Sequence, residues 1–247
     1  KPEIFTAQIR TPNLMPLRIE ALGEPDIAAK SAISVFISDS QRDKSLLNPS
    51  LRSGEGKQKV LFEKNSDEKL PIASLTKLMT ALIVLENYDL SKEIKISKEA
   101  INQEETFGQL EEGKIFKTGY LLYPLLMESS NDAAFALAND YEGTGEEFHS
   151  SSSIATARIG EKKFVEMMNA KAKELGLENT YFYNSNGLEP DTKNAKINYS
   201  SAKELAELTR YLLATPKIWE ILSTAEYNLY GPTLKNTNEL LFDESIA

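Results

Sequence analysis

The sequence contains no cysteine and a single histidine among its 247 residues, and these two absences exclude several kinds of site. Without cysteine the chain has no disulfide, no thiol nucleophile and no thiolate metal ligand. One histidine, His149, is too few for the zinc site of a metallopeptidase. It precedes four consecutive serines, a setting typical of a solvated loop rather than of a catalytic triad. We therefore predict neither a metal site nor a cofactor.

The chain also lacks an excess of positive charge and any long apolar run. Its net charge is -9 at pH 7, and no basic stripe is interleaved with aromatic residues, which argues against nucleic acid as a partner. No apolar run reaches the roughly 18 residues that a membrane-spanning helix needs. Hydrophobic residues make up 41% of the chain, enough for a substantial core. We expect residues 1–247 to form a single domain.

One short segment combines a serine with a lysine three residues later. Residues 71–80 read PIASLTKLMT, and the apolar spacing that continues from there predicts a helix beginning near Ser74. Positions i and i+3 lie on one face of a helix, so the Ser74 hydroxyl and the Lys77 amine are expected within hydrogen-bonding distance. Burial of this helix would remove the lysine from water and favour its neutral form. A neutral amine can accept the serine proton, which makes the pair a candidate nucleophile and base.

The bare spacing is weak support for catalysis, because the chain repeats it at Ser66 and Lys69 and again at Ser200 and Lys203. A serine that caps a helix, followed one turn later by a solvated lysine, gives the same pattern without any chemistry. A second motif is needed to decide between these two interpretations.

The second motif is ESSNDAA at residues 128–134, which separates two apolar stretches and predicts a helix, a short turn and another helix. A turn of this kind can direct Ser129 and Asn131 into a cleft, the first as a proton relay and the second as an amide donor and acceptor. The alternative is a simple turn or helix cap. Found together, the two motifs favour a catalytic site.

With these motifs the chain resembles the serine D-alanyl-D-alanine carboxypeptidases, the low-molecular-weight penicillin-binding proteins. The resemblance extends from about residue 30 to the last residue. The segments that carry it are 71–85, 129–138, 164–177, 179–188 and 235–241.

The resemblance implies an α/β fold of the β-lactamase and transpeptidase type, with a central antiparallel sheet flanked by helices. A mainly helical subdomain is expected at about residues 91–215. Alternating residues predict a hairpin of strands 32–37 and 59–64, and we expect residues 227–241 to return to the sheet. The C-terminal sheet strands of the family would be missing from this chain.

For function, the resemblance implies a D,D-carboxypeptidase that acts on peptidoglycan stem peptides ending in D-Ala-D-Ala. Ser74 would be the nucleophile, Lys77 the base, Ser129 the proton donor to the departing D-alanine, and Asn131 the side chain that holds the peptide. β-Lactams would acylate Ser74. The resemblance also implies export to the periplasmic or cell-wall side, and peripheral membrane attachment through a segment beyond Ala247.

The chain departs from the family pattern in four places. The third motif, Lys-Thr-Gly, does not follow the 235–241 segment, so we expect it beyond Ala247. A literal match at Lys117-Thr118-Gly119 precedes the second motif, and we interpret it as a coincidence. Residues 149–158 and 40–59 are predicted surface loops that the family lacks or keeps short. Asn186 stands where the family tends to have histidine.

Two other functions compete with carboxypeptidase activity. A non-catalytic peptidoglycan-binding or regulatory homologue would keep the scaffold and lack the third motif. A β-lactamase would share the first two motifs but would add a carboxylate that activates the deacylating water. We find no convincing counterpart for that carboxylate in this sequence.

Overall fold

Short strands and helices alternate along the chain in a computed structural model, which describes residues 27–37, 59–104, 110–140, 154–190, 194–229 and 231–242. Of residues 154–159 the backbone alone is described. The strands are β1 (Ala32–Phe36), β2 (Lys59–Lys64), β3 (Leu70–Pro71), β4 (Glu93–Lys95), β5 (Ile115–Lys117), β6 (Tyr199–Ser200), β7 (Glu226–Asn228) and β8 (Thr233–Lys235). The helices are α1 (Thr76–Asn87), α2 (Lys98–Ile101), α3 (Thr118–Met127), α4 (Asn131–Asn139), α5 (Ile154–Glu174), α6 (Ala202–Leu212) and α7 (Pro216–Leu222).

The strand pairings within the described residues are antiparallel and join the strands in twos: β1 with β2, β3 with β6, β4 with β5, and β7 with β8. The predicted hairpin of β1 and β2 is confirmed, with a register shift between Ser34 and Val35. The expectation that residues 227–241 return to the sheet is wrong for the described residues, where β7 and β8 form a separate two-stranded sheet. Beside this pairing, Leu229 N donates to Pro232 O at 3.0 Å.

The core lies where α1 packs against α3, α4 and α5. Helices surrounded by other elements are apolar on most of their faces, and α1 and α3 have this composition. The fully buried side chains of these four helices include Met79, Leu82, Leu121, Leu137, Phe164 and Met168. Because α1 lies at the centre, its polar residues Thr76, Lys77 and Thr80 are buried as well. Buried polar groups of this kind need hydrogen-bond partners.

The start of α5 corrects one of the predicted loops. Residues 154–158 form the first turns of this helix rather than a loop, in keeping with the good helix formers Ala155, Ala157 and Arg158. Residues 149–153, with His149, lie outside the described residues. The predicted loop at 40–59 also lies outside them, apart from Lys59, which begins β2.

The expected helical subdomain at about residues 91–215 stays a prediction.

Within the described ranges, no helix has both the length and the apolar composition required to cross a bilayer.

Candidate active site

Ser74 lies at the exposed end of the buried helix α1. Residues Ala73–Leu75 form one turn of 3-10 helix that leads into α1, and Leu75 occupies the N-cap position. The Ser74 side chain is therefore not the helix cap. Its Oγ accepts a hydrogen bond from Lys77 Nζ at 3.0 Å. The interpretation of this pair as a capping serine with a solvated lysine is wrong.

The Lys77 amine is enclosed by protein. The residue is only 3% exposed, and Nζ donates a second hydrogen bond to the backbone carbonyl of Asn186 at 2.8 Å. Removal from water is unfavourable for an ammonium ion unless other groups replace its hydration. The structure thus places an accessible serine hydroxyl beside a buried amine, which is the arrangement that the i, i+3 spacing predicts.

A short loop, Asn184–Gly187, covers this side of α1. Thr80, one helical turn after Lys77, donates through its hydroxyl to Ser185 O at 2.6 Å. Two residues of α1 therefore hold two consecutive carbonyl groups of the loop. The Ser185 hydroxyl in turn donates to Glu161 of α5 at 2.9 Å. The loop is bonded to two core helices, which fixes the acceptor that it offers to Lys77.

Gly187 brings the backbone of the loop against the residue that precedes the nucleophile. Its φ is +88°, a conformation that favours glycine, and a Cβ at this position would collide with the carbonyl group of Ala73. Ala73 itself has a φ of +43° although it is not glycine. Such a conformation costs on the order of 1–3 kcal/mol and persists only where the surroundings impose it. The close approach of Gly187 supplies that constraint next to Ser74.

The second motif forms the junction between α3 and α4. Ser129 has a φ of +58°, and Ser130 caps α4 by accepting from Ala133 N at 3.1 Å. The helix cap that was the alternative interpretation of this motif is therefore present, but Ser130 forms it rather than Ser129. Asn131 is buried at the first position of α4 and donates through Nδ2 to Glu104 O at 2.8 Å.

Two adjacent residues, Gln103 and Glu104, connect the loop beside Lys77 with the second motif. Gln103 accepts from Asn186 Nδ2 at 3.2 Å, and Glu104 accepts from Asn131 Nδ2. One segment after α2 thus contacts both the loop beside Lys77 and the start of α4. Ser74 and Lys77 are in direct contact with each other, and α1 and α4, which follow the two motifs, pack together.

The other two copies of the serine and lysine spacing have separate partners. In the first copy, Ser66 donates to Glu63 Oε2 at 2.9 Å, and Lys69 lies over the Tyr199 ring. In the second copy, Ser200 Oγ lies 2.7 Å from the Thr180 hydroxyl, and Lys203 forms an exposed ion pair with Asp67 at 3.1 Å. The solvated interpretation therefore holds for the lysines of both copies.

The Lys117-Thr118-Gly119 match has a structural role. It lies where β5 passes into α3, and Thr118 and Gly119 donate their backbone N–H groups to Lys92 O and Leu90 O at 2.8 and 2.9 Å. Lys117 pairs with Glu93 across the β4 and β5 ladder. The interpretation of this match as a coincidence agrees with these contacts.

One carboxyl group within the second motif has a shifted pKa. Burial raises the pKa of Asp132, in the first turn of α4, to about 6. Its Oδ1 is buried and has no hydrogen-bond partner in the described part of the chain.

The same described residues contain no cluster of three or more acidic or histidine side chains that could hold a metal ion.

Sequence reasoning did not single out several residues that build this site. Thr80 and Gln103 bond to the loop, and Asn198 bonds to Asn184 of the loop and to Thr76 at the start of α1. Gly187 also belongs to this site, and it is the residue that the sequence could have indicated, because an Asn-Gly pair favours a turn with positive φ. The others are polar residues without periodic spacing, so no local pattern identifies them.

Comparison with known proteins gives consistent matches. The family model described as D-alanyl-D-alanine carboxypeptidase matches residues 54–247. The D-alanyl-D-alanine carboxypeptidase DacF of Bacillus subtilis is 36% identical over 193 residues, which are 74% of this chain and 44% of that protein. A D-alanyl-D-alanine endopeptidase of Pseudomonas aeruginosa is 32% identical over 194 residues, which are 74% of this chain and 54% of that protein. The chain spans about half the length of these curated relatives.

Solved structures match over most of the chain. A serine-to-alanine mutant of a Streptomyces DD-transpeptidase superposes with a TM-score of 0.69 at 25% identity, over 90% of this chain and 79% of the other. A penicillin-binding protein of Listeria monocytogenes in a cefotaxime-bound form gives 0.62 at 25% identity, over 88% and 76%. The expected α/β fold of the transpeptidase type is confirmed by these matches.

Proposed function

Because the chain belongs to the D-alanyl-D-alanine carboxypeptidase family, we propose that it removes the terminal D-alanine from peptidoglycan stem peptides. The observation that carries this proposal is the 3.0 Å contact between Ser74 and a lysine amine that is 3% exposed. A serine needs an adjacent base to become a nucleophile, and a buried amine is a suitable one.

The first step is acylation of the serine. With the amine neutral, the Ser74 O–H donates to Lys77 Nζ, and Oγ attacks the carbonyl carbon of the penultimate D-alanine. The proton passes to Lys77 as the new C–O bond forms. The Asn186 carbonyl, 2.8 Å from Nζ, stabilises the ammonium ion that results and holds the amine at this position.

The second step releases D-alanine. The C–N bond breaks, and Ser129 relays to the departing amine the proton that Lys77 took from Ser74, while Asn131 holds the peptide amide. Water then attacks the ester carbonyl and gives a proton to Lys77. The bond from the carbonyl carbon to Ser74 Oγ breaks, Oγ takes that proton back, and the shortened peptide leaves with a new carboxyl group. The positive φ of Ser129 and the buried position of Asn131 support fixed positions for these two side chains.

β-Lactams are the inhibitors that this reaction predicts. Their reactive amide resembles the D-Ala-D-Ala bond, so they would acylate Ser74 and remain attached when water attacks the ester slowly. The similarity to a cefotaxime-bound penicillin-binding protein supports this part of the proposal. The substrate lies in the cell wall, so we also propose that the protein acts outside the cytoplasm, with membrane attachment through a further segment.

The test is intact-protein mass spectrometry of the full-length protein after incubation with benzylpenicillin, followed by peptide mapping. We expect one covalent adduct on Ser74 and none on Ser74→Ala. A slowly released adduct, together with release of D-alanine from a stem-peptide substrate, supports the carboxypeptidase. Rapid turnover of penicillin would instead indicate a β-lactamase, and the absence of any adduct would favour the non-catalytic homologue.

A further inference from the structure

The side chain of Asn198 connects separate segments around the nucleophile. It is 4% exposed and donates through Nδ2 to Thr76 Oγ1 at 2.9 Å. The same amide group contacts Asn184 O at 3.1 Å and Asn184 Oδ1 at 3.0 Å. Its Oδ1 accepts from the backbone N–H groups of Tyr183 and Asn184 at 2.7 and 3.2 Å. Nδ2 of this buried side chain thus has partners on α1 and on Asn184, and Oδ1 has its partners on residues 183 and 184.

The backbone of Asn198 adds a contact on the other side of the nucleophile. Ile72 N donates to Asn198 O at 3.3 Å. Ile72 precedes Ser74 by two residues and Thr76 follows it by two, so one residue holds the chain on both sides of the serine. The antiparallel pairing of β3 with β6 places Asn198 at this position.

The contact with Asn184 extends to the acceptor of the lysine. Asn184 Oδ1 accepts from Gly187 N at 2.7 Å, and Asn184 Nδ2 donates to Leu188 O at 2.8 Å. These two bonds close the loop on itself and fix the orientation of the Asn186 carbonyl between them. A path therefore runs from Asn198 to Asn184 Oδ1 and Gly187 N through hydrogen bonds, and from there through the Asn186–Gly187 peptide group to the carbonyl that holds Lys77.

We propose that Asn198 is a positioning residue for acyl transfer: it holds the Asn184–Gly187 loop against α1 and so keeps the Asn186 carbonyl at the Lys77 amine. This inference rests on the proposed function, because it gives Lys77 the role of base. A lysine side chain has four flexible bonds, so a fixed acceptor is needed to direct Nζ at Ser74. A displacement of about 1 Å in such a contact can slow a reaction about a hundredfold.

The chain offers a matched control in Asn169. This asparagine of α5 donates through Nδ2 to Val165 O at 3.0 Å and to Phe182 O at 2.9 Å, and its Oδ1 accepts from Phe182 N at 2.9 Å. It therefore holds the residue just before Tyr183 by the same kind of bonds. These bonds join the segment to α5 rather than to α1, so Asn169 has the structural role without the link to the nucleophile.

The experiment compares Asn198→Asp with Asn169→Asp in the full-length protein. Aspartate keeps the oxygen acceptors and removes the N–H donors, so Asn198→Asp loses the two bonds to Asn184 O and Oδ1 and sets oxygen against oxygen there. It keeps the acceptor for the Tyr183 and Asn184 N–H groups, and it can bond Thr76 only by accepting from the Thr76 hydroxyl. We measure the first-order acylation rate constant and the non-covalent dissociation constant for benzylpenicillin, with the melting temperature of each variant. We expect Asn198→Asp to lower the acylation constant about tenfold or more and to leave the dissociation constant within about twofold. Asn169→Asp should leave both within about twofold at a similar loss of thermal stability.

A second pair of variants keeps the test valid if Asn198→Asp does not fold. Thr76→Val removes only the acceptor on α1, and Thr76→Ser keeps the hydroxyl. We expect a smaller fall in the acylation constant for Thr76→Val and rescue in Thr76→Ser. Equal acylation constants in these two variants, or equal losses in the two aspartate variants, would overturn the positioning role.

A measurement without penicillin separates this inference from the proposed function. If the wild-type protein forms no adduct, the proposed function fails, and the NMR signal of the Lys77 Cε carbon then decides the positioning role. The signal is assigned by its loss in Lys77→Arg. We expect it to shift in Asn198→Asp and to stay unchanged in Asn169→Asp, and an unchanged signal in both variants would contradict the inference.

Discussion

The two helices that carry the proposed catalytic residues begin in different ways. At α4, Ser130 accepts from a backbone N–H group of the first turn, and Asp132 adds a carboxyl group there. At α1, Leu75 occupies the N-cap, and no acidic residue lies in the first turn. The serine nearest to this helix start, Ser74, bonds to the Lys77 side chain instead.

The difference shows how a serine is kept available for chemistry. A capping serine commits its oxygen to the backbone of its own helix. Ser74 is released from that task by a turn of 3-10 helix, which satisfies the helix start through backbone bonds such as Leu75 N to Ile72 O at 3.0 Å. The resulting strain lies in the backbone at Ala73, where φ is positive, and the adjoining loop maintains it. If α1 and α4 differ in this way, loss of the Ser74 hydroxyl at α1 should reduce acylation, and loss of the Ser130 cap at α4 should reduce stability.

The largest expected effect is the loss of the base. Lys77→Met should lower the acylation rate constant for benzylpenicillin about a thousandfold, because general base catalysis typically contributes factors of that order. Lys203→Met is the matched control, since Lys203 also follows a serine by three residues but forms an exposed ion pair. Stopped-flow or quenched-flow acylation kinetics measure both. A loss of less than about tenfold in Lys77→Met would assign the base to another group.

The next largest effect concerns the support of the nucleophile turn. Gly187→Ala should lower the free energy of unfolding by about 3 kcal/mol, because the added Cβ meets the Ala73 carbonyl and the left-handed conformation disfavours alanine. Gly113→Ala separates these causes, since Gly113 has a similar φ of +80° and open space around its Cβ position. It should lose only about 1 kcal/mol. Urea denaturation measures both, and equal losses would show that the close approach is unimportant.

A smaller effect tests the buried carboxyl of α4. The positive end of the helix dipole favours an ionised Asp132, but burial outweighs it and raises the pKa to about 6. The folded protein therefore binds this proton more tightly than the unfolded chain, so the stability from Asp132 is present at low pH and lost as the pH rises through about 6. Relative to wild type, Asp132→Asn should gain on the order of 1–2 kcal/mol near neutral pH and little at low pH.

The control for this prediction is the exposed pair of Asp67 and Lys203. Asp67→Asn removes a carboxylate whose ion pair is exposed, so its effect on the free energy of unfolding should stay below about 1 kcal/mol at both pH values. Urea denaturation at pH values below and above 6 compares the variants. A constant difference between wild type and Asp132→Asn at the two pH values would contradict the raised pKa.

The elements that the sequence predicts well are those with a local signal. Alternating residues identified β1 and β2, and apolar spacing identified α1, α3 and α4, because period 2 and period 3.6 are properties of a few neighbouring residues. The start of α5 was missed because a serine run was extended into a segment of good helix formers. The pairing of β7 with β8 was missed because strand partners depend on the rest of the fold and not on the strand itself.

The same distinction applies to the site. Ser74 and Lys77 are three residues apart, so helix geometry alone brings them together. The carbonyl of Asn186 that holds the lysine comes from 109 residues further along the chain, and the Asn198 amide that contacts Thr76 comes from 122 residues further. Contacts at such separations follow from tertiary packing, so a single sequence contains no pattern for them.

The smallest effect compares the two serines directly. Ser130→Ala should lower the free energy of unfolding by about 1 kcal/mol, because the N–H of Ala133 loses its cap. Ser74→Ala should change it by no more than about 0.5 kcal/mol, because Ser74 is exposed and caps no helix. Activity should show the opposite order, with acylation abolished only in Ser74→Ala. If Ser74→Ala were as destabilising as Ser130→Ala, the Ser74 hydroxyl would have a structural role at α1, and the contrast between the two helix starts would not hold.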